Sequence, residues 1–100
     1  MEKSTPHYPL TAMQATVAQA GRAAFTVAAT RGGAQMGLTV KDMLLVIANL
    51  TSGNFYKSMT THSDHRIWQD VYHASCPNGL IAYIKLTLVA ERIVIQFKEK

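Results

Sequence analysis

The chain has 100 residues, of which 48% are hydrophobic and 16% charged, and its formal net charge is +4. This composition excludes a disordered chain, and the length allows one domain over residues 1–100 with a single core. The lone cysteine, Cys76, excludes both an internal disulfide and a cysteine-based zinc site. Because the chain has neither a signal-peptide pattern nor an apolar run long enough to span a bilayer, we expect a cytoplasmic protein without a membrane partner. The positive charge favours polyanionic partners.

Apolar residues at helical spacing dominate the first half of the chain. Pro9–Gly21 predicts a first helix, because proline suits the first turn of a helix and glycine its end. Arg22–Phe25 predicts a short edge strand. Thr26–Met36 predicts a second helix, which is capped by its threonine and weakened by Gly32 and Gly33 in its interior.

A third helix carries the strongest local signals. Thr39 and Asp42 have the spacing of a capping box at its start. Met43, Ile47 and Leu50 then form one apolar stripe. These stripes predict packing surfaces and indicate no cofactor site.

The second half of the chain changes to the patterns of β-strands. The segments Ile67–Ser75, Leu80–Val89 and Arg92–Glu99 are rich in β-branched and aromatic residues and are separated by turn residues. Helices followed by consecutive strands predict an α+β fold in which N-terminal helices pack on one face of a C-terminal antiparallel sheet.

The last two strands alternate so regularly that their register can be predicted. A two-residue turn at Ala90-Glu91 would place core residues on one face and polar residues on the other. Such alternation is most often a solvated sheet face, but tyrosine beside two lysines also suits a phosphate backbone and a stacked base. The predicted pairs are Leu88 with Ile93, Leu86 with Ile95, Ile84 with Phe97, Lys85 with Gln96 and Tyr83 with Lys98, with Arg92 on the polar face.

Several blocks of the sequence closely resemble the MqsR toxin family. The densest are Phe55–Thr61, which reads FYKSMTT, and Ile67–Tyr72, which reads IWQDVY. The opening Met1–Lys3 and the closing Phe97–Lys100 also match. The resemblance runs from end to end and is weakest over residues 8–36.

The resemblance implies a RelE-like, microbial-ribonuclease fold and a toxin that inhibits translation and growth. Its activity would be ribosome-independent cleavage of mRNA at GC-containing sites such as GCU, with no metal ion or other cofactor. Its partner would be an MqsA-type antitoxin, and that partner would carry both the zinc and the DNA-binding module.

The resemblance also implies the residues of the active site. Four positions match the family's proposed catalytic residues: Lys57, Gln69, Tyr83 and Lys98. Tyr56, Met59 and His65 fall in the same blocks and are expected to contact substrate, as are His73, Lys85 and Arg92. At His73 an arginine is expected instead, and histidine is mostly neutral at pH 7.

These residue types suit metal-free RNA cleavage, in which the 2′-hydroxyl attacks the adjacent phosphorus. The reaction needs a base, an acid and positive charge for the phosphorane. Lys57 and Lys98 can supply charge, and either could exchange a proton if the other lowered its pKa. Tyr83 can exchange a proton or stack on a base, whereas Gln69 can only orient a group.

The face on which Gln69 lies depends on the loop before the next strand. A two-residue Asn78-Gly79 turn would bury Gln69 and place Trp68, Asp70 and Tyr72 beside Tyr83. A loop of three or five residues, or a bulge, would bring Gln69, Val71 and His73 there instead. We predict the second arrangement because of the resemblance.

Other functions fit parts of the sequence less well. His62, Asp64, His65 and His73 are too loosely spaced to predict a metal site, and no G-x-S-x-G motif indicates a hydrolase. The main alternative is a non-catalytic, basic nucleic-acid-binding module. A further alternative is a non-enzymatic interaction protein whose positive charge complements an acidic partner.

Overall fold

A computed structural model, which describes residues 1–100, has three α-helices packed on one face of a five-stranded antiparallel sheet. The strands follow one another across the sheet in chain order. The predicted α+β fold is confirmed. The helices are α1 (Leu10–Ala20), α2 (Val27–Gln35) and α3 (Val40–Ala48), and the strands are β1 (Glu2–Lys3), β2 (Phe55–Thr60), β3 (Trp68–Ser75), β4 (Ile81–Val89) and β5 (Arg92–Glu99).

The first helix ends where the sequence predicts. Gly21 has a φ of 59°, a left-handed conformation that glycine adopts without steric cost. The predicted edge strand over Arg22–Phe25 is wrong, because Gly21–Ala24 forms a 3₁₀ helix and only Phe25 makes a bridge, to Ile95. The alanines of this segment have little preference for a strand.

The two glycines of α2 allow this helix to lie directly on β5, at Gly32, and on α3, at Gly33. A Cβ on Gly32 would stand 2.1 Å from the Phe97 carbonyl oxygen, and one on Gly33 would stand 2.3 Å from the Met43 sulfur. Thr26 caps the helix by accepting from the Ala29 amide at 3.0 Å. The helix therefore gives up intrinsic propensity for close contact with β5.

The third helix starts with the predicted capping box. The Asp42 amide donates to the Thr39 hydroxyl at 3.1 Å, and the Thr39 amide donates to the Asp42 carboxylate at 2.9 Å. The predicted stripe of Met43, Ile47 and Leu50 is buried.

The β4–β5 hairpin has the predicted register at every pair, including Tyr83 with Lys98 and Lys85 with Gln96. Its tip has the predicted two residues, Ala90 and Glu91, with φ of 50° and 65°. Positive φ at both positions is the geometry that matches strand twist in a two-residue hairpin. The twist of the sheet thus imposes a conformation that neither residue favours.

The β3–β4 connection decides which side chains share a face with Tyr83. Five residues separate the two strands, and the Cys76 amide donates to the Leu80 carbonyl at 2.8 Å, leaving a three-residue tip. His73 therefore pairs with Tyr83, and the prediction that Gln69, Val71 and His73 lie on the Tyr83 face is confirmed.

Two strands were not predicted from the sequence. β2 pairs with β3, and β1 adds two residues at the outer edge of β2. The β2–β3 register shifts between Phe55 and Lys57. This bulge adds Tyr56 to the strand and brings it to the same face as Lys57.

A buried carboxylate attaches the N-terminal segment to the sheet. Asp70 is only 1% exposed, and its oxygens accept from the His7 and Tyr8 amides at 2.8–3.0 Å. The Ser58 hydroxyl donates to the same carboxylate at 2.6 Å. Asp70 thereby joins the N-terminal segment, β2 and β3 at one point.

One core serves the whole chain. Its 19 buried residues come from all three helices and from β3, β4 and β5, and they lie on the helix side of the sheet. We propose on this basis that residues 1–100 form one domain. None of the helices is both long and apolar enough to cross a membrane.

We predict that Asp70→Ala lowers the free energy of unfolding by about 3 kcal/mol, because two part-buried backbone amides and the buried Ser58 hydroxyl lose a charged acceptor. Urea denaturation measures this change. Glu99→Gln, an exposed carboxylate without these contacts, should change stability by less than about 0.5 kcal/mol. Equal stabilities of the two variants would contradict the role of Asp70.

We also predict that Gly32→Ala destabilises the protein by about 1–3 kcal/mol, because the new methyl group overlaps the β5 backbone. Helix propensity alone would predict that Gly32→Ala stabilises the protein, by about 1 kcal/mol. Gly53→Ala is the matched control, because its Cβ would meet only the Thr51 hydroxyl oxygen at 3.5 Å. Thermal unfolding of both variants distinguishes overlap from propensity.

Candidate active site

The face of the sheet opposite the helices carries a concentration of polar, aromatic and basic side chains, which we call the open face. Because successive side chains of a strand alternate between faces, alternate residues of β3, β4 and β5 reach it. The bulge in β2 adds one more aromatic ring. The open face comprises Tyr56, Lys57, Met59, Gln69, Val71, His73, Tyr83, Lys85, Gln96 and Lys98.

One row across the open face is aromatic and ends in a lysine. The rings of Tyr56 and His73 stack with centroids 4.5 Å apart, and those of His73 and Tyr83 lie 5.5 Å apart. The Lys98 Nζ stands 5.3 Å from the centre of the Tyr83 ring. This aromatic row offers a stacking surface with positive charge at one end.

The neighbouring row, about 7 Å along the strands, contains two more lysines. Lys57 and Lys85 are the direct cross-strand neighbours of Val71, which is fully buried although it belongs to the open face. The Lys85 Nζ also lies 5.9 Å from the Tyr83 ring centre. The lysine row therefore lies beside the aromatic row, and the apolar side chain of Val71 lies between its two lysines.

A third row lies beyond the lysines and borders a cavity. Met59 pairs with Gln69, and both line a cavity of about 550 Å³ together with His65 and Lys85. The cavity is thus continuous with the lysine row through Lys85.

Lys57 has a carboxylate partner on the N-terminal strand. Its Nζ donates to Glu2 Oε1 at 2.5 Å, and this hydrogen bond raises the pKa of Lys57 and lowers that of Glu2. The condition under which Lys57 could exchange a proton, a pKa lowered by Lys98, is therefore not met. Exposed ion pairs are weak, so this contact leaves Lys57 able to bind another anion.

The pKa of two other groups on the open face is lowered. Burial lowers the pKa of Lys85, and the nearby Lys98 adds to the effect. Burial also lowers the pKa of His73, with a further contribution from Lys100. Lys85 therefore releases a proton more readily than an ordinary lysine, and His73 favours its neutral form more than an ordinary histidine does.

The structure brings together nine of the ten residues that the sequence suggests for the site. Arg92 is the exception, because it lies at the far end of β5, about 20 Å along the strand from Lys98. His65 joins the others through the cavity, not through the sheet. No three His, Cys, Asp or Glu side chains are grouped so that they could hold a metal ion.

Sequence reasoning did not find Glu2 as the partner of Lys57. The only signal was its position in an N-terminal block that resembles the family, and nothing local predicts pairing across 55 residues. It also missed β2, although the aromatic residues and threonine of Phe55–Thr60 are typical of a strand.

Comparison with known proteins agrees with this geometry. A family described as motility quorum-sensing regulator, toxin of MqsA, matches residues 5–99. The mRNA interferase toxin MqsR of Escherichia coli (strain K12) is 42% identical over 100 residues, covering 100% of both chains.

We predict that His73 titrates below 6.5 in the folded protein and that Lys100→Gln raises its pKa. NMR titration of the imidazole measures both values. Because the unfolded chain then binds the proton more tightly, His73 should reduce the free energy of unfolding as pH falls below about 6.5, and have no such effect above pH 7. A His73 pKa above 6.5 would contradict the burial argument.

Proposed function

The chain belongs to the MqsR toxin family, and we propose that it cleaves mRNA on the open face without a metal ion, at short GC-containing sites such as GCU. Membership makes the chain an mRNA interferase toxin, which is an endoribonuclease. Cleavage of mRNA without the ribosome would inhibit translation and growth.

The juxtaposition of the lysine row and the aromatic row supports this proposal. Three lysines lie around Tyr83 on the open face: Lys57, Lys85 and Lys98. The carboxylate that forms an ion pair with one of them is Glu2. Fixed positive charge of this kind stabilises the additional negative charge of a phosphorane. The aromatic rings beside it offer a surface on which a base can stack.

In the proposed reaction the 2′-hydroxyl oxygen forms a bond to the adjacent phosphorus, and the bond from phosphorus to the 5′-oxygen breaks. The products are a 2′,3′-cyclic phosphate and a free 5′-hydroxyl. One proton leaves the 2′-hydroxyl and one is delivered to the 5′-oxygen, so that no metal ion or other cofactor is required. Each positioned acid or base contributes about 10²–10⁴-fold.

The environments of the side chains suggest their roles. Lys57 stays protonated beside Glu2 and binds the phosphate. Lys85, whose pKa is lowered, is suited to donate the proton to the leaving oxygen. The His73 imidazole can accept the 2′-hydroxyl proton, the Tyr83 hydroxyl can hydrogen-bond to the reacting oxygens, and Lys98 adds charge.

We further propose that an MqsA-type antitoxin neutralises this chain and carries both the zinc and the DNA-binding module. The family description, which names a toxin of MqsA, supports the partner.

The proposal predicts cleavage of a defined RNA that contains one GCU site, in the presence of EDTA. Cleavage should leave a 2′,3′-cyclic phosphate, and the double variant Lys57→Ala/Lys98→Ala should be slower by at least about 10³-fold. Gel analysis and end-group mapping of the products measure these outcomes.

The matched control is Arg31→Ala/Lys41→Ala, which removes the same charge from exposed positions on the helices. Its rate should stay within about threefold of the wild-type rate. If the wild type binds this RNA and leaves it intact, the chain is a nucleic-acid-binding module and the catalytic proposal fails.

A further inference from the structure

The geometry points to a second substrate subsite: we infer that the cavity beside the lysine row, which we call the base pocket, binds a nucleobase next to the scissile phosphate. Gln69 would read the edge of that base. This inference rests on the proposed function and assigns Gln69 to sequence recognition, whereas the resemblance implied that Gln69 is a catalytic residue.

The size and position of the base pocket suit a base. Its volume of about 550 Å³ lies within the range of small-molecule sites. Met59 supplies an apolar wall and His65 an aromatic ring, while Lys85 connects the pocket to the lysine row. A base in the pocket would therefore remain attached to a phosphate that the lysines hold.

The outer wall of the base pocket is held in place by its own hydrogen bonds. Thr61 Oγ donates to the Asp64 carbonyl at 2.7 Å and accepts from the Asp64 amide at 3.0 Å. The Thr61 amide donates to the Ile67 carbonyl at 3.0 Å. The β2–β3 connection, which carries His62 and His65, thus forms a wall that exists before any substrate binds.

Gln69 is the side chain in the base pocket best able to distinguish bases. Gln69 is half-buried, and its side-chain amide makes no hydrogen bond within the chain. The one acceptor and two donors of this amide are therefore available to a base in the pocket. Sequence-specific RNA recognition uses hydrogen bonds to the edges of splayed bases. Lysines bind phosphates of any sequence and supply no such discrimination.

The order of the rows places one base on each side of the cleaved bond. The aromatic row offers a stacking surface for one flanking nucleotide, and the base pocket lies on the other side of the lysine row. Stacking tolerates every base, whereas hydrogen bonds at a half-buried amide do not. We therefore expect most of the discrimination at one flanking position only.

The test uses an RNA pool with randomised positions on both sides of a central bond. Sequencing of the 2′,3′-cyclic phosphate ends gives a relative cleavage rate for each flanking base. We expect Gln69→Leu, which preserves size and removes the hydrogen bonds, to reduce discrimination at one position by about tenfold. Discrimination at the other position should change by less than about threefold.

Gln19→Leu is the matched control, because Gln19 is exposed on α1, away from the open face and the base pocket, and should leave both preferences unchanged. Met59→Ala provides a second test that keeps Gln69, and it should weaken preference at the same position. A uniform loss of rate at all sequences in both variants would overturn the base pocket. Absence of any cleavage by the wild type would instead overturn the proposed function.

Discussion

The buried carboxylate of Asp70 is the constraint on which the geometry of the site depends. It accepts hydrogen bonds from two N-terminal amides and from Ser58, so it can be buried only where those donors reach it. Because a strand alternates, placing Asp70 on the helix side places Gln69 and Val71 on the open face. The same contacts fix the segment that carries Glu2 beside Lys57.

The two faces of the sheet divide packing from chemistry. On the helix side, Gly32 of α2 allows close contact with β5, and this contact supports the strand that carries Lys98. On the open face, three lysines lie close together, and one of them, Lys57, forms an ion pair with Glu2. A weak, exposed ion pair keeps Lys57 charged without blocking it permanently, which suits a site that must bind and release a polyanion.

His73 illustrates how the surroundings of a residue determine what it can do. An arginine would bring permanent charge to the aromatic row, whereas burial and Lys100 keep His73 neutral at pH 7. His73 stacks on Tyr56 and lies tilted beside Tyr83, so in the proposed function it contributes to the surface for a base and can accept a proton. The positive charge of the open face therefore comes from its lysines, and in the proposed function Lys85, with its lowered pKa, donates the proton.

The sequence determined the features that depend on near neighbours: the cap at Thr39, the helix end at Gly21 and the register that pairs Tyr83 with Lys98. These features follow from periodicity and turn length, which depend on residues only a few positions apart in the sequence. The face of Gln69 was ambiguous from pattern alone, since a change of one residue in the loop reverses it. Only the tertiary structure decided the partner of Lys57, the bulge at Tyr56 and the cavity at His65. Each of these depends on segments far apart in the chain, and their contacts exist only once the core and Asp70 have fixed the strands in place.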